Sequence, residues 1–124
     1  MKILLVEPDK VLAGTTLREF DAQGHAVRWA RNAQTAVDAV DADMPDVIIL
    51  ELQLGIHNGI ELLYELRSYT EWQGIPVVLY TINRRACDED FVETLGQLGV
   101  RGIYYKTEVN PRQLRQKINQ LQLV

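Results

Sequence analysis

A single cysteine, Cys87, stands in the chain. One thiol makes no internal disulfide, and a cysteine-rich metal site is excluded. Cationic residues are short as well: 13 Lys and Arg stand against 17 Asp and Glu, a formal charge of -4. That sign argues against non-specific nucleic-acid binding and against docking on an anionic membrane, both of which rest on an excess of Lys and Arg. No apolar run is longer than a strand, far short of a bilayer span. The amino-terminal run Ile3-Leu4-Leu5-Val6 meets Glu7 and Pro8 at once, so the expectation is that it is not the core of a signal peptide. No linker, low-complexity tract or repeat of solenoid period interrupts the pattern. With 47% apolar and 24% charged residues, the composition is that of an ordinary globular protein, not of a disordered, collagenous or coiled-coil chain. The expectation is one cytoplasmic domain over residues 1–124. At that length a chain buries somewhat under about 70% of the surface it exposes unfolded, enough to fold without a metal or disulfide staple.

What the chain does contain is a regular alternation of strand-like and helix-like segments. Ile3-Leu4-Leu5-Val6 is a first strand, stopped by Pro8, with Asp9 at the N-cap of a helix whose apolar face is Leu12, Leu17 and Phe20 and whose stop is Gly24. His25 to Ala30 alternates through Val27 and Trp29 as a half-buried strand does. Asn32 caps a second helix with Ala33, Ala36, Val37 and Val40 inward, closed by Pro45. Val47-Ile48-Ile49-Leu50 is a continuous run, suited to a strand covered on both faces. A third helix starts at Asn58-Gly59, with Ile60, Leu62, Leu63 and Leu66 as its spine. Pro76 to Tyr80 is a fourth strand, and Phe91, Leu95 and Leu98 mark a fourth helix ended by Gly99. Gly102 to Tyr105 is a fifth strand. Asn110-Pro111 opens a last helix on Leu114, Ile118 and Leu121. Strand and helix repeated five times predict an α/β three-layer sandwich with a parallel sheet in the flavodoxin-like order 2-1-3-4-5. The chain ends soon after the last helix, as a domain standing alone or one cut from a longer chain would.

Open α/β sheets gather their chemistry at the carboxyl ends of the strands. Those ends carry Glu7, Pro8 and Asp9 after the first strand, Glu51 after the third, Thr81 at the fourth and Lys106 at the fifth. Each alone is an ordinary polar residue where a strand meets water; two carboxylates, a hydroxyl and an ammonium on one edge make a candidate site. With these residues, the stretches Lys2 to Glu7, Pro45 to Leu50, Asn58 to Leu63, Val77 to Thr81 and Gly102 to Lys106 resemble a response-regulator receiver domain of two-component signalling, over essentially the whole chain. The resemblance implies the CheY-like (βα)5 fold. It also implies an Asp at the end of strand three that takes a phosphoryl group from a histidine kinase. Acids after strand one would hold Mg²⁺, and the strand-four hydroxyl and strand-five lysine would contact the phosphoryl oxygens.

The reacting positions depart from that pattern, which marks an atypical, pseudo-receiver variant. Glu51 stands at the phosphoacceptor position, one methylene too long for in-line geometry set by Asp, and a misplacement of about 1 Å can cost about 100-fold. The acidic pair is reduced to Glu7 followed by Pro8. Glu7, Glu51 and the backbone carbonyl of Gln53 remain as a weakened metal set, since Mg²⁺ demands near-octahedral oxygen geometry. Gly55-Ile56 replaces the usual Pro-Gly of the loop, Thr107 replaces the proline after the lysine, and Ile103 stands at the family's switch aromatic. Thr81 and Lys106 are kept. Two readings of Glu51 stay open: a carboxylate that reaches Thr81 and pairs with Lys106 to hold an active-like state, and a solvated acid in a decayed site. On the first, the domain is not an enzyme and acts through protein contacts.

The remaining residues carry weaker signals. His57 reads as a solvated residue, His25 at the start of strand two carries no signal, Cys87 reads as an inert thiol, and Trp29 and Trp72 as packing or surface anchors, with Tyr69 and Trp72 together as an apolar spot. Asp88, Glu89, Asp90 and Glu93 at helix four oppose Arg112, Arg115 and Lys117 on helix five. Charge runs of this kind are usually solvated faces. The resemblance makes the helix four, strand five, helix five face a surface for a kinase, an effector or a second copy, the two charges pairing across a two-fold axis. The competing class is a flavodoxin-like cofactor-binding or enzymatic domain. It needs a Gly- and Ser-rich phosphate cradle after the first strand, where Glu7-Pro8-Asp9-Lys10 stands instead.

Overall fold

Four short polar side chains punctuate the chain, each one residue before a helix. The computed structural model describes residues 1–55, 57–83 and 89–121, with the backbone alone at His57. In it Asp9 accepts from the amides of Val11 and Leu12 at 2.9 and 3.1 Å and starts α1 (Lys10–Asp21). Asn32 and Thr35 close a reciprocal capping box on α2 (Ala33–Ala42). Asn58 caps α3 (Gly59–Ser68) through the amide of Glu61. Asn110 and Gln113 box the start of α5 (Pro111–Gln120), with Pro111 in the first turn where its missing N–H costs nothing. Between the last two lies α4 (Glu89–Gln97). No helix among the described residues is long and apolar enough to cross a membrane. Ile56, Cys87, Asp88 and the side chain of His57 lie outside the described residues.

The strands are β1 (Lys2–Val6), β2 (Ala26–Ala30), β3 (Val47–Leu50), β4 (Gln53–Leu54), β5 (His57–Asn58), β6 (Val77–Thr81) and β7 (Val100–Tyr105). Five of them form one parallel sheet in the order β2-β1-β3-β6-β7, the arrangement the alternation predicts. Successive side chains pass to opposite faces. Leu4, Val6, Ile48, Leu50 and Leu79 therefore join α2, α3 and α4 on one side, through Ala36, Leu62, Leu63, Leu66 and Leu95. Ile3, Leu5, Ile49 and Val78 join α1 and α5 on the other, through Phe20, Leu114 and Ile118.

Three details differ from the sequence reading. β4 and β5 form a two-residue antiparallel hairpin about Gly55, whose φ of +77° suits a residue without Cβ; elements this short leave no periodic signature. α1 buries Ala13, Thr16 and Phe20, while Leu12 and Leu17 are only half-buried. Small side chains face the sheet there, and the Thr16 hydroxyl is satisfied by the carbonyl of Leu12 at 2.9 Å. β7 starts at Val100 rather than Gly102, because a register shift opposite Val77 and Val78 leaves Arg101 unpaired and breaks the alternation. Trp72 is buried in the core and Tyr69 stacks on it from solvent with ring centres 4.5 Å apart.

The end of the fold opposite the strands' carboxyl ends is fastened by Arg67. Its guanidinium donates to the carbonyls of Leu98 at 2.7 Å, Trp72 at 2.8 Å and Ile75 at 2.7 Å, tying α3 to the turn before β6 and to the end of α4. A Cβ on Gly99 would collide with that guanidinium, and Gly99 has a φ of +84°. Arg67→Met is expected to lower stability in urea unfolding by more than about 4 kcal/mol, since it removes three hydrogen bonds from a charged donor, each worth about 1.5–3. Arg67→Lys is expected to recover little of it, because an ammonium cannot present a planar fork to three carbonyls.

Candidate functional site

Parallel pairing brings the strand ends level. Val6 pairs with Leu50, and Thr81 with Tyr105. The ladder then runs one residue further: Glu51 N donates to Val6 O, Glu7 N to Ala30 O and Lys106 N to Thr81 O, each at 3.0 Å. Glu7, Glu51, Thr81 and Lys106 are thus fixed by backbone before any side chain meets another. All are withdrawn from water, with Glu7 2% and Glu51 3% exposed and the Lys106 side chain 11%.

Lys106 Nζ stands between the two acids, 2.6 Å from Glu7 Oε1 and 2.8 Å from Glu51 Oε1. Glu51 Oε1 also accepts from the amide of Ile82 at 3.2 Å, and its Oε2 accepts from the Thr81 hydroxyl and from the amide of Gln53 at 3.2 Å. The Thr81 oxygen in turn accepts from the amide of Asn83 at 3.0 Å. Glu7 Oε2 accepts from the amide of Asp9 at 3.1 Å, and the Glu7 carbonyl takes the indole N–H of Trp29 at 2.8 Å. Tyr80 lies 5.9 Å beneath the ammonium, its hydroxyl donates to the carbonyl of Val109, and burial pushes its pKa up to about 12. Above this floor opens a cavity of about 720 Å³ whose walls include Val11, Leu12, Ile82 and Pro111.

Glu7, Glu51, Thr81 and Lys106 come together, and Glu51 is not a solvated acid. Gln53 reaches the group through its amide, with its side chain exposed. As a metal set the arrangement fits poorly. Among the described residues no group of three or more His, Cys, Asp or Glu side chains could hold an ion, and the two acids already face one ammonium. Asp9 is engaged in capping α1. The charge pairing imagined between helices four and five loses one member: Arg115 turns to α1 and pairs with Glu19 at 2.8 Å. Three contributors had no sequence signal of their own, namely the backbone amide of Ile82, the ring of Tyr80 and the indole of Trp29. Only the parallel register identifies the last, since it sets Trp29 beside Leu5.

Burial raises the pKa of Glu7, and the hydrogen bond from Lys106 offsets only part of that. The folded chain therefore holds the Glu7 proton more tightly than the unfolded chain, so this residue's contribution to stability falls as pH rises from the ordinary glutamate value of 4.5 through its raised value. Glu7→Gln removes that dependence and leaves Lys106 its bond to Glu51. The stability of the variant relative to wild type is expected to grow with pH across this window, measured by urea unfolding at a series of pH values; a constant difference would contradict it.

The family profile of the response regulator receiver domain matches residues 3–119. The chain is 32% identical over 79 residues to the probable transcriptional regulatory protein TcrX of Mycobacterium tuberculosis, covering 64% of this chain and 33% of that protein. It is 27% identical over 81 residues to the response regulator MprA of Mycobacterium avium, covering 65% and 35%. It therefore spans about a third of the length of these curated relatives. The solved receiver domain protein (CheY-like) of Methanospirillum hungatei superimposes with a TM-score of 0.82 at 21% identity, over 96% of this chain and 90% of that one. The Mn²⁺-bound form of response regulator Rcp1 gives 0.80 at 24% identity, over 98% and 94%. These likenesses carry the flavodoxin-like CheY fold. With that fold and a family match over nearly all of its length, the chain belongs to the response-regulator receiver domains, the signalling modules of two-component systems.

Proposed function

We propose that this receiver works without phosphorylation and passes its state on through protein contacts. One observation carries the reading: both oxygens of Glu51 are fully engaged, by Lys106, Thr81 and the amides of Ile82 and Gln53. A carboxylate has about four acceptor positions, and here four donors occupy them. To attack phosphorus it must give up at least one of these bonds, at a side chain that is only 3% exposed. The added methylene carries the carboxylate to the hydroxyl and ammonium that the family reserves for phosphoryl oxygens. Glu51 thereby holds the strand-six hydroxyl and the strand-seven lysine in one fixed arrangement. The surface that reports this state to a kinase or effector is the α4–β7–α5 face, where Val92 is exposed beside a shallow groove reaching Ile103.

Intact-mass measurement after incubation with acetyl phosphate and Mg²⁺ tests this. The wild-type chain is expected to show no stable mass gain, and a phosphoryl adduct on Glu51 would overturn the reading. Glu51→Asp run alongside locates the block: labelling of the variant alone assigns it to side-chain length, and labelling of neither to the Glu7-Pro8 end of the pocket.

A further inference from the structure

A strand at the edge of a sheet is a template for another strand unless its sequence or its shape guards it. The five-stranded sheet ends on β2 and β7. β7 is guarded by its own irregularity, the register shift opposite Val77 and Val78. β2 is not. Its five residues hold an unbroken register with β1. It has no proline and no lysine. The guanidinium of Arg28, its single charge, is turned back onto α2, where it donates to the carbonyls of Ala39 at 2.8 Å and of Asp43. We propose that the β2 edge docks the same edge of a second copy of this chain, antiparallel about a two-fold axis at Arg28, so that the two sheets join into one.

The backbone shows which residues are available. Ala26 N donates to Met1 O, and Ala30 O accepts from Glu7 N, each at 3.0 Å. Alternate residues of a strand bond to alternate sides, so Ala26, Arg28 and Ala30 serve β1 while the N–H and C=O groups of Val27 and Trp29 face outward. The two-fold sets Val27 of each copy opposite Trp29 of the other, and each such pair exchanges both of its hydrogen bonds. A β-branched residue against an aromatic one is also a favourable cross-strand pair. Trp29 is arranged in advance. Its indole is held by the Glu7 carbonyl at 2.8 Å and Arg31 lies 5.6 Å from its ring centre, so little side-chain freedom is lost on docking. Beside Val27 runs a shallow groove between α1 and β2, lined by Leu17, Arg18, Asp21 and Val27. The charges complement each other there. The register carries Arg31 of one copy to the His25 end of the other copy's strand, where Asp21 closes α1; Arg18 leans the opposite way, toward the Thr15 hydroxyl at 3.4 Å. Arg28 meets its own symmetry mate, but each guanidinium is already spent on the carbonyl end of its own α2, which limits the repulsion.

The test follows the isotope-labelled 124-residue chain over a concentration series, by sedimentation and by backbone amide signals. A concentration-dependent dimer is expected, a weak one because an edge contact is smaller than a standard interface. As it forms, the amides of Val27 and Trp29 are expected to shift and to gain protection from hydrogen exchange. Val27→Pro removes an outward N–H and no bond to β1. It is expected to raise the dissociation constant by about tenfold or more, since a hydrogen bond is lost on each side of the axis. Val27→Lys, which places a guarding charge on the edge, serves as the second variant where proline is not tolerated. A monomer at every concentration would overturn the proposal. So would a dimer whose shifts fall on α4, β7 and α5, or one that a folded Val27→Pro or Val27→Lys leaves unchanged. Should neither variant fold, the position of the wild-type shifts decides alone. None of these measurements involves phosphodonor or Glu51, so the edge can fail as an interface while Glu51 remains a non-acceptor, and the reverse.

Discussion

One ammonium shared by two buried carboxylates is the constraint around which this pocket is arranged. Lys106 ties the end of β7 to the ends of β1 and β3, and Glu51 carries the tie on to β6 through Thr81. Four of the five strands of the parallel sheet are fastened at one edge by side chains that are almost wholly withdrawn from water. Such a group is not a large net source of stability. Desolvation of three charges consumes much of what their attraction returns. The asymmetry matters more: removing one partner leaves a buried charge unpaired, at a cost of about 3–5 kcal/mol. The interaction therefore fixes geometry more than it adds strength, and it does so where the receiver fold places its chemistry.

The length of Glu51 decides how far that constraint reaches. Its carboxylate takes the amide of Gln53 from the segment after β3 and the amide of Ile82 from the segment after β6. Two loops that leave neighbouring strands are thus held by one side chain. The Thr81 oxygen continues the network to the amide of Asn83, on the way toward α4. On the proposed reading, the arrangement of this edge is written into the covalent chain and does not wait for a modification. That is a signalling module with one of its states strongly favoured, since moving the β6 loop means breaking bonds to a buried charge. A flavodoxin-like cofactor domain has no counterpart here, because the β1 loop presents Glu7, Pro8 and Asp9 where a phosphate would need a cradle of amides.

What could be read in advance was what local chemistry determines. Asp9, Asn32, Asn58 and Asn110 are helix caps by residue type alone, and all four cap helices. The apolar runs of β1, β3 and β6 are strands buried on both faces, which only a parallel sheet between helix layers provides. The candidate site followed from a rule of topology applied to those strands. What was illegible depends on partners distant in sequence. Arg67 and Arg115 look like ordinary surface charges until the fold sets one against three carbonyls and the other against Glu19, 96 positions away. Lys106 could be expected to reach Glu51, but its second bond, to Glu7, depends on how deeply the lysine lies between β1 and β3. α1 was misread because Leu12 and Leu17 outweigh Ala13 and Thr16 on any scale of hydrophobicity, whereas close approach to the sheet selects the smaller pair.

Burial outweighs the shared ammonium in setting the acidity of Glu7. Glu7 touches an ammonium at 2.6 Å, a contact that ordinarily lowers a carboxyl pKa, and yet its pKa is raised. Burial is the larger effect, and the charge of Glu51 nearby adds to it. Physically, a single positive charge is divided between two acids and cannot neutralise both. The pocket is therefore one positive charge short. A proton on Glu7 meets that deficit and needs no additional ligands or space.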